Sequence, residues 1–371
     1  MKFVLPCFIL LMSSAARSQT EQKTPNIFII TTDGFRWQEV FTGADSSLIN
    51  DPHYVQDPAL VRELYWDNSE ISRRKKLMPF LWSTVAGQGQ IYGNRLFSNQ
   101  MDVLNFYKIS YPGYNEMLTG YPDPVFIPNV PMKNRNTNIL EYLNTKKEYA
   151  GKVAAFSSWN IFSAILNKKR NQLPSNLGYE TIIPDSTLNN EMLSETQESV
   201  TEKKHTRYDL LTYLSAREYI EHHKPRVVMI GFGETDEFAH GKQYDLYLQQ
   251  ANNVDKMIAE LWYYVQTDPF YKNNTTFIIT TDHGRGKKNT TWYKHGILTQ
   301  GSGEIWFAII GPGILPEGEI KNPSQIYQKQ IASTVAWLLG EEFKSSRNSG
   351  EPILLNNSYG VNLAIGNAGI H

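Results

Sequence analysis

The chain has 371 residues, 41% of them hydrophobic and 20% charged, and a formal net charge of −1. That balance describes a globular protein and excludes a disordered or fibrous one. With 36 Lys and Arg against 37 Asp and Glu there is no broad basic field, so the sequence predicts no nucleic-acid-binding surface, and an anionic ligand has to be held locally.

Met1 and Lys2, the apolar run Phe3 to Met12 and then Ser13-Ser14-Ala15-Ala16-Arg17-Ser18 have the layout of a secretory signal peptide over residues 1–18. A bilayer span needs about twenty apolar residues, which neither this run nor any later stretch supplies. The reading is therefore an exported protein, periplasmic or extracellular, without a transmembrane anchor. Cys7 is the only cysteine and lies in that run, so the mature chain has no thiol for disulfides, metal ligation or nucleophilic attack.

Residues 19–371 read as one catalytic domain. Asn26 to Thr32 is a short apolar, β-branched run, as expected of a strand buried on both faces. Similar runs follow at Val153 to Phe156, Arg226 to Phe232, Thr275 to Thr281 and Ile305 to Ile310. Between them, Ile139 to Leu143, Arg207 to His222, Tyr244 to Val265 and Tyr327 to Leu339 carry apolar residues at helical spacing. The alternation predicts an α/β fold, a mostly parallel central sheet with helices on both faces, whose ligand sites gather beyond the carboxyl ends of the strands. Two polar, poorly periodic stretches near 41–76 and 168–205 read as cap-like insertions over the site.

Several of these strand ends carry chemistry. Asp33-Gly34 follows the first strand. Asp236-Glu237-Phe238-Ala239-His240 follows the strand ending at Phe232, and its four-residue spacing puts a carboxylate and an imidazole on one face of a helical turn. Asp282-His283-Gly284 ends a third strand, and His295-Gly296 follows a polar loop. Three Asp and three His make a donor set of hard oxygens and borderline nitrogens that suits zinc best and manganese next. Two divalent metal ions fit six ligands better than one, and two ions about 4 Å apart can clamp a phosphoryl group.

The segment Ser110-Tyr111-Pro112-Gly113-Tyr114, with Leu118-Thr119-Gly120 downstream, supplies a nucleophile at a helix start. The order Asp33, Ser110 with Pro112 and Thr119-Gly120, Asp236 to His240, Asp282-His283 and His295 resembles the alkaline phosphatase superfamily, and within it the type I phosphodiesterase and nucleotide pyrophosphatase branch. The likeness runs from about Asn26 to Gly313. It implies a binuclear-metal hydrolase of small-molecule phosphate esters working through a phosphoserine at Ser110. It also implies one metal on Asp236, His240 and His295, and a second on Asp33, Asp282, His283 and the Ser110 oxygen. In many relatives the last His lies further along the chain, where this sequence offers only His371.

Asn115 and Lys108 are candidate substrate contacts, with Asn129, Asn134 and Asn136 competing for the amide role and Arg36 for the cationic one. Sulfatase chemistry is the first alternative; its nucleophile is followed four residues later by Arg, where this chain has Tyr114. Phosphonate hydrolysis, mutase chemistry and a non-catalytic exported binding protein complete the alternatives.

Overall fold

The structure is a computed structural model describing residues 25–125, 128–182, 188–345 and 347–358. The expected signal peptide and His371 lie outside the described residues. The strands are β1 (Asn26–Thr32), β2 (Gly89–Tyr92), β3 (Asn99–Asp102), β4 (Val153–Ser157), β5 (Ser175–Leu177), β6 (Val227–Phe232), β7 (Thr275–Thr280), β8 (Glu304–Ile305), β9 (Phe307–Ile310), β10 (Gly318–Glu319) and β11 (Ser324–Tyr327). Eight form one sheet in the order β10-β2-β9-β7-β1-β6-β4-β5, and β3, β8 and β11 form a second, small one. The strands from β7 across to β5 run parallel, while β9 is antiparallel to both its neighbours. The sheet is thus mostly parallel, as the alternation predicts.

Side-chain alternation along each strand divides the interior into two cores. Phe28, Ile30, Val228, Ile230, Phe277 and Ile279 face one side, where the helix Tyr244–Thr267 packs. Ile27, Ile29, Val227, Met229 and Ile278 face the other, where the helices Ser110–Thr119, Ile139–Asn144 and Ile331–Leu338 pack. Both faces being covered explains why these strands read as unbroken apolar runs.

Two stretches fold differently from their sequence pattern. The run 305–310 is divided between sheets: β8 pairs with β3, the chain turns at Trp306, and β9 joins the main sheet. The Trp306 indole N–H donates to the Phe35 carbonyl at 3.0 Å, which fixes the switch. Residues 41–76 form the helices Ser46–Ile49, Pro58–Tyr65 and Glu70–Leu77, each capped by its preceding side chain, Asp45, Asp57 or Ser69. They bury Leu48, Ile49, Val61, Tyr65 and Leu77 in the first core.

The helix Ser110–Thr119 meets the sheet at Gly113, where an added Cβ would run into the backbone carbonyl of Asp282. Gly113→Ala is therefore expected to cost about 1–3 kcal/mol, as overpacking does. It should also lower turnover by shifting Ser110 relative to Asp282. Urea denaturation read alongside steady-state kinetics checks this; unchanged values on both would mean that the helix approach is looser than the packing requires.

Candidate active site

Strands β6, β1 and β7 are adjacent, parallel and closely in register, Thr32 lying opposite Phe232 and Thr31 opposite Thr280. Their carboxyl ends therefore deliver Asp33, the helix Glu234–His240 and Asp282-His283 to one place. Asp33 is tied into the ends by its N–H on the Phe232 carbonyl at 2.9 Å and by the Thr235 hydroxyl, which donates to the Asp33 carbonyl at 2.6 Å. The Gly34 N–H donates to Asp282 Oδ1 at 3.0 Å. Gly34 has φ +58°, and a Cβ there would come within 2.7 Å of the Arg285 guanidinium, so the residue is glycine for both conformation and space.

The six Asp and His residues singled out in the sequence fall into two groups. Asp236, His240 and His295 offer ligand atoms within 4.8 Å of one another, and so do Asp33, Asp282 and His283. The His283 Nε2 lies 3.4 Å from Asp33 Oδ1 and 3.5 Å from Asp282 Oδ2, while its Nδ1 is 3.0 Å from the Gly284 carbonyl. An Nδ1–H donated to that carbonyl leaves Nε2 as the ligating nitrogen. His240 Nε2 lies 3.2 Å from Asp236 Oδ2 and 2.9 Å from His295 Nε2.

Ser110 is the first residue of its helix, with Oγ 3.2 Å from His283 Nε2 and 3.5 Å from Asp33 Oδ1. A third grouping, Glu218, Glu221 and His222, lies on the helix Asp209–His223, where His222 pairs with Glu218 and Glu221 with Arg217.

The fit of a divalent cation can be judged from these donors. Asp282 Oδ2 is buried without a hydrogen-bond partner, which costs free energy unless a positive charge meets it. Two imidazole nitrogens at 2.9 Å likewise repel unless one is protonated or both face a cation. Acceptors thus converge twice, and both groups fit a divalent ion.

Titration follows the same crowding. Burial, then the Asp33 charge, raises Asp282. Burial works against a charged His283, but Asp282 and Asp33 outweigh it and lift the imidazole to about 9. Burial and the neighbouring His283 charge lower His240, and burial with His283, Arg285 and His240 lowers His295 well below the usual range.

Arg285 is a site residue that the sequence reading passed over as part of a polar loop. Fully buried, it forms an ion pair with Asp236 and donates to the Gly34 and Tyr293 carbonyls at 2.9 and 2.8 Å. The available signal was an Arg held between Gly284 and Gly286 directly after Asp282-His283.

The proposed substrate contacts separate. Asn115 is buried away from the cavity: its Nδ2 donates to the Tyr121 carbonyl and its Oδ1 accepts from Asn134 and Asn136, so it holds a turn. Lys108 stands in the left-handed region at φ 53°, with its stem beside Gly303, outside the cavity wall. Arg36 is buried in an ion pair with Glu39. Asn129 is the amide of the four that borders the cavity next to Ser110, its Oδ1 accepting the Tyr111 N–H at 2.9 Å.

The cavity has a volume of about 830 Å³ and opens over Ser110, Asp33, Asp236 and His240. No residue of 41–76 lines it, whereas Lys204 and His205 from the second polar stretch do.

Residues 49–329 match the type I phosphodiesterase / nucleotide pyrophosphatase family. A 2,3-bisphosphoglycerate-independent phosphoglycerate mutase of Ureaplasma urealyticum is 26% identical over 143 residues, a match spanning 37% of this chain and only 28% of the mutase. Among solved structures, the alkaline phosphatase PafA superposes with a TM-score of 0.57 at 10% identity, covering 89% of this chain and 98% of that one. The lipoteichoic acid synthase LtaP of Listeria monocytogenes gives 0.55 at 13%, covering 86% and 73%. A 2-O GAG sulfatase gives 0.55 at 14%, covering 89% and 73%.

In a chelator-stripped protein, the proton held on His283 contributes stability fully below pH 6.5 that is lost as pH rises through about 9. The raised Asp282 has the same sign, because the fold keeps a proton there that the unfolded chain has already released, and stability falls as pH rises until the folded group ionises at about 8. The thermal midpoint of stripped protein is expected to fall by several degrees between pH 6.5 and 9.5, more steeply than that of His283→Gln. Parallel slopes for the two proteins in differential scanning fluorimetry would contradict this.

Proposed function

The chain belongs to the type I phosphodiesterase / nucleotide pyrophosphatase family of the alkaline phosphatase superfamily hydrolases, and from that premise we propose that it is an exported phosphate ester hydrolase in which Ser110 is the nucleophile. Residues 1–18 would direct the export. The observation that carries the reading is Ser110 Oγ at the start of a ten-residue helix and within 3.5 Å of both Asp33 and His283.

Asp33, Asp282, His283 and the Ser110 oxygen would hold one divalent ion, and Asp236, His240 and His295 the other, with zinc favoured by the mixed oxygen and nitrogen donors. When bound, such ions supply positive charge that favours ionised Ser110 and screens the phosphoryl oxygens.

The chain's own groups do the rest. Ser110 Oγ attacks phosphorus in line, its bond to phosphorus forming as the bond to the ester oxygen breaks, and the alcohol leaves with a proton taken from solvent. Water then cleaves the phosphoserine to release phosphate or a monoester. The Tyr111 N–H is taken by Asn129, Pro112 has none and the Gly113 N–H is bonded to the Ile109 carbonyl, so the helix Ser110–Thr119 would favour the phosphoryl charge through the positive end of its dipole. Asn129, with its oxygen held by the Tyr111 N–H, keeps an NH₂ for a phosphoryl oxygen. Arg285 holds Asp236 in place from behind.

Phosphate is favoured over sulfate because position 114 is Tyr, its ring buried edge-on against Phe162 with centroids 4.6 Å apart. A cation therefore does not stand where the sulfatase pattern has one.

Ser110→Ala is expected to lower release of p-nitrophenol from its phosphate mono- and diesters by at least about 10³-fold. Retention of most of the activity would remove Ser110 from the role. Asn129→Ala should cost about 10²-fold, the usual scale for one lost donor to a transition-state oxygen. Chelation should abolish turnover and lower the thermal midpoint, and added zinc or manganese should restore both. Activity that survives exhaustive chelation would contradict the metal reading.

A further inference from the structure

The cavity over Ser110 is far larger than a phosphoryl group needs, and about 300–1,000 Å³ is the range that encloses an organic ligand. Its walls differ in chemistry. Val130, Pro131, Trp159 and Ile161 supply apolar lining, and Lys204 and His205 supply basic groups.

The cationic wall is constructed rather than incidental. Lys203, just before it, is pinned by Glu234 at 2.6 Å and Glu237 at 3.0 Å, while its backbone N–H donates to the Tyr179 hydroxyl at 3.1 Å. Thr206, just after it, forms an antiparallel bridge with Trp159, and the Arg207 N–H donates to the Ser158 carbonyl at 2.7 Å. Arg207 is itself fully buried, donating to Thr212 at 3.1 Å and Gln197 at 3.0 Å. Lys204 and His205 thus form a two-residue span clamped at both ends and set beside Trp159. Glu237, a carboxylate of the lining, is held by Lys203, which leaves the Lys204 ammonium unclaimed by that pair.

We propose that Trp159, Lys204 and His205 form a subsite for the organic arm of the ester, and that this arm joins a planar or apolar part to an anionic group of its own. The planar part stacks on the indole, and the anion, a carboxylate or a second phosphoryl group, meets the Lys204 ammonium and the His205 imidazole. This rests on the phosphate ester reading and narrows its substrate class.

The test compares kcat/KM for phenyl phosphate, 4-carboxyphenyl phosphate and 1,4-phenylene bisphosphate on the metal-loaded full chain. The parent is expected to favour at least one of the doubly anionic esters through KM, and which one it favours identifies the anion. In the double variant Lys204→Met/His205→Ala that preference should shrink about fivefold or more, and in the parent it should weaken at high salt. Lys204→Arg should retain the preference, and Lys272→Met, a surface control, should not change it. Trp159→Ala should raise KM for all three esters.

Equal preference in the parent and the double variant, with turnover still dependent on Ser110, overturns the subsite and leaves the proposed function standing. A parent that hydrolyses none of the three overturns the subsite, and one whose turnover survives Ser110→Ala overturns both.

Discussion

Three carboxylates brought together at the ends of adjacent parallel strands are the constraint on which the rest of this structure depends. Parallel register leaves little choice: once β6, β1 and β7 pair as they do, Asp33, Asp236 and Asp282 arrive at one place. Like charges in a buried setting repel strongly, and the surroundings read as a series of offsets. Gly34 gives a backbone N–H to Asp282, Arg285 is buried against Asp236, and His283 stands between Asp33 and Asp282. These offsets are incomplete, since Asp282 Oδ2 has no hydrogen-bond donor. A fold that tolerates this much uncompensated acceptor character is organised around added positive charge.

Ser110, the proposed nucleophile, reaches the same point from the opposite core. Its helix packs on the face of the sheet lined by Ile27 and Ile29, and Gly113 lets it settle directly on the backbone of Asp282. The distance from Ser110 to His283 is therefore set by a backbone-on-backbone contact, which varies less than a contact through side chains. Pre-organisation of this kind is what a reaction needs when catalysis lies in positioning and charge.

Much of this was legible in the sequence, for a physical reason. Strands buried on both faces are nearly all apolar, so the abrupt appearance of Asp33, Asp236 and Asp282 after such runs marks the strand ends and the acidic site together. The structure brings together all six Asp and His residues so identified, and places Ser110 at a helix start. Less was legible where tertiary contacts override local pattern. The helices within 41–76 are set by their caps, Asp45, Asp57 and Ser69, and are four to eight residues long, so that even the amphipathic Pro58–Tyr65 is too short to stand out in a polar stretch. The run 305–310 looked like one strand because burial, not sheet membership, controls composition. Asn115 and Asn129 have the same chemistry, and only the fold turns the first into a buried turn and leaves the second at the cavity.

Arg285 changes the electrostatic argument more than any other residue that the pattern did not reveal. Counting only the three Asp side chains and an ionised Ser110, two divalent ions would leave the proposed site neutral; with the guanidinium included it carries one positive charge. That charge does not face the ligand. Arg285 is completely buried behind Asp236, so it acts by drawing negative charge away from that carboxylate. The guanidinium charge also reaches Asp33, so both carboxylate groups of the proposed site share it. The two proposed ion positions would therefore share one buried cation, and Ser110 Oγ, 3.2 Å from His283 Nε2, stands with the Asp33 group.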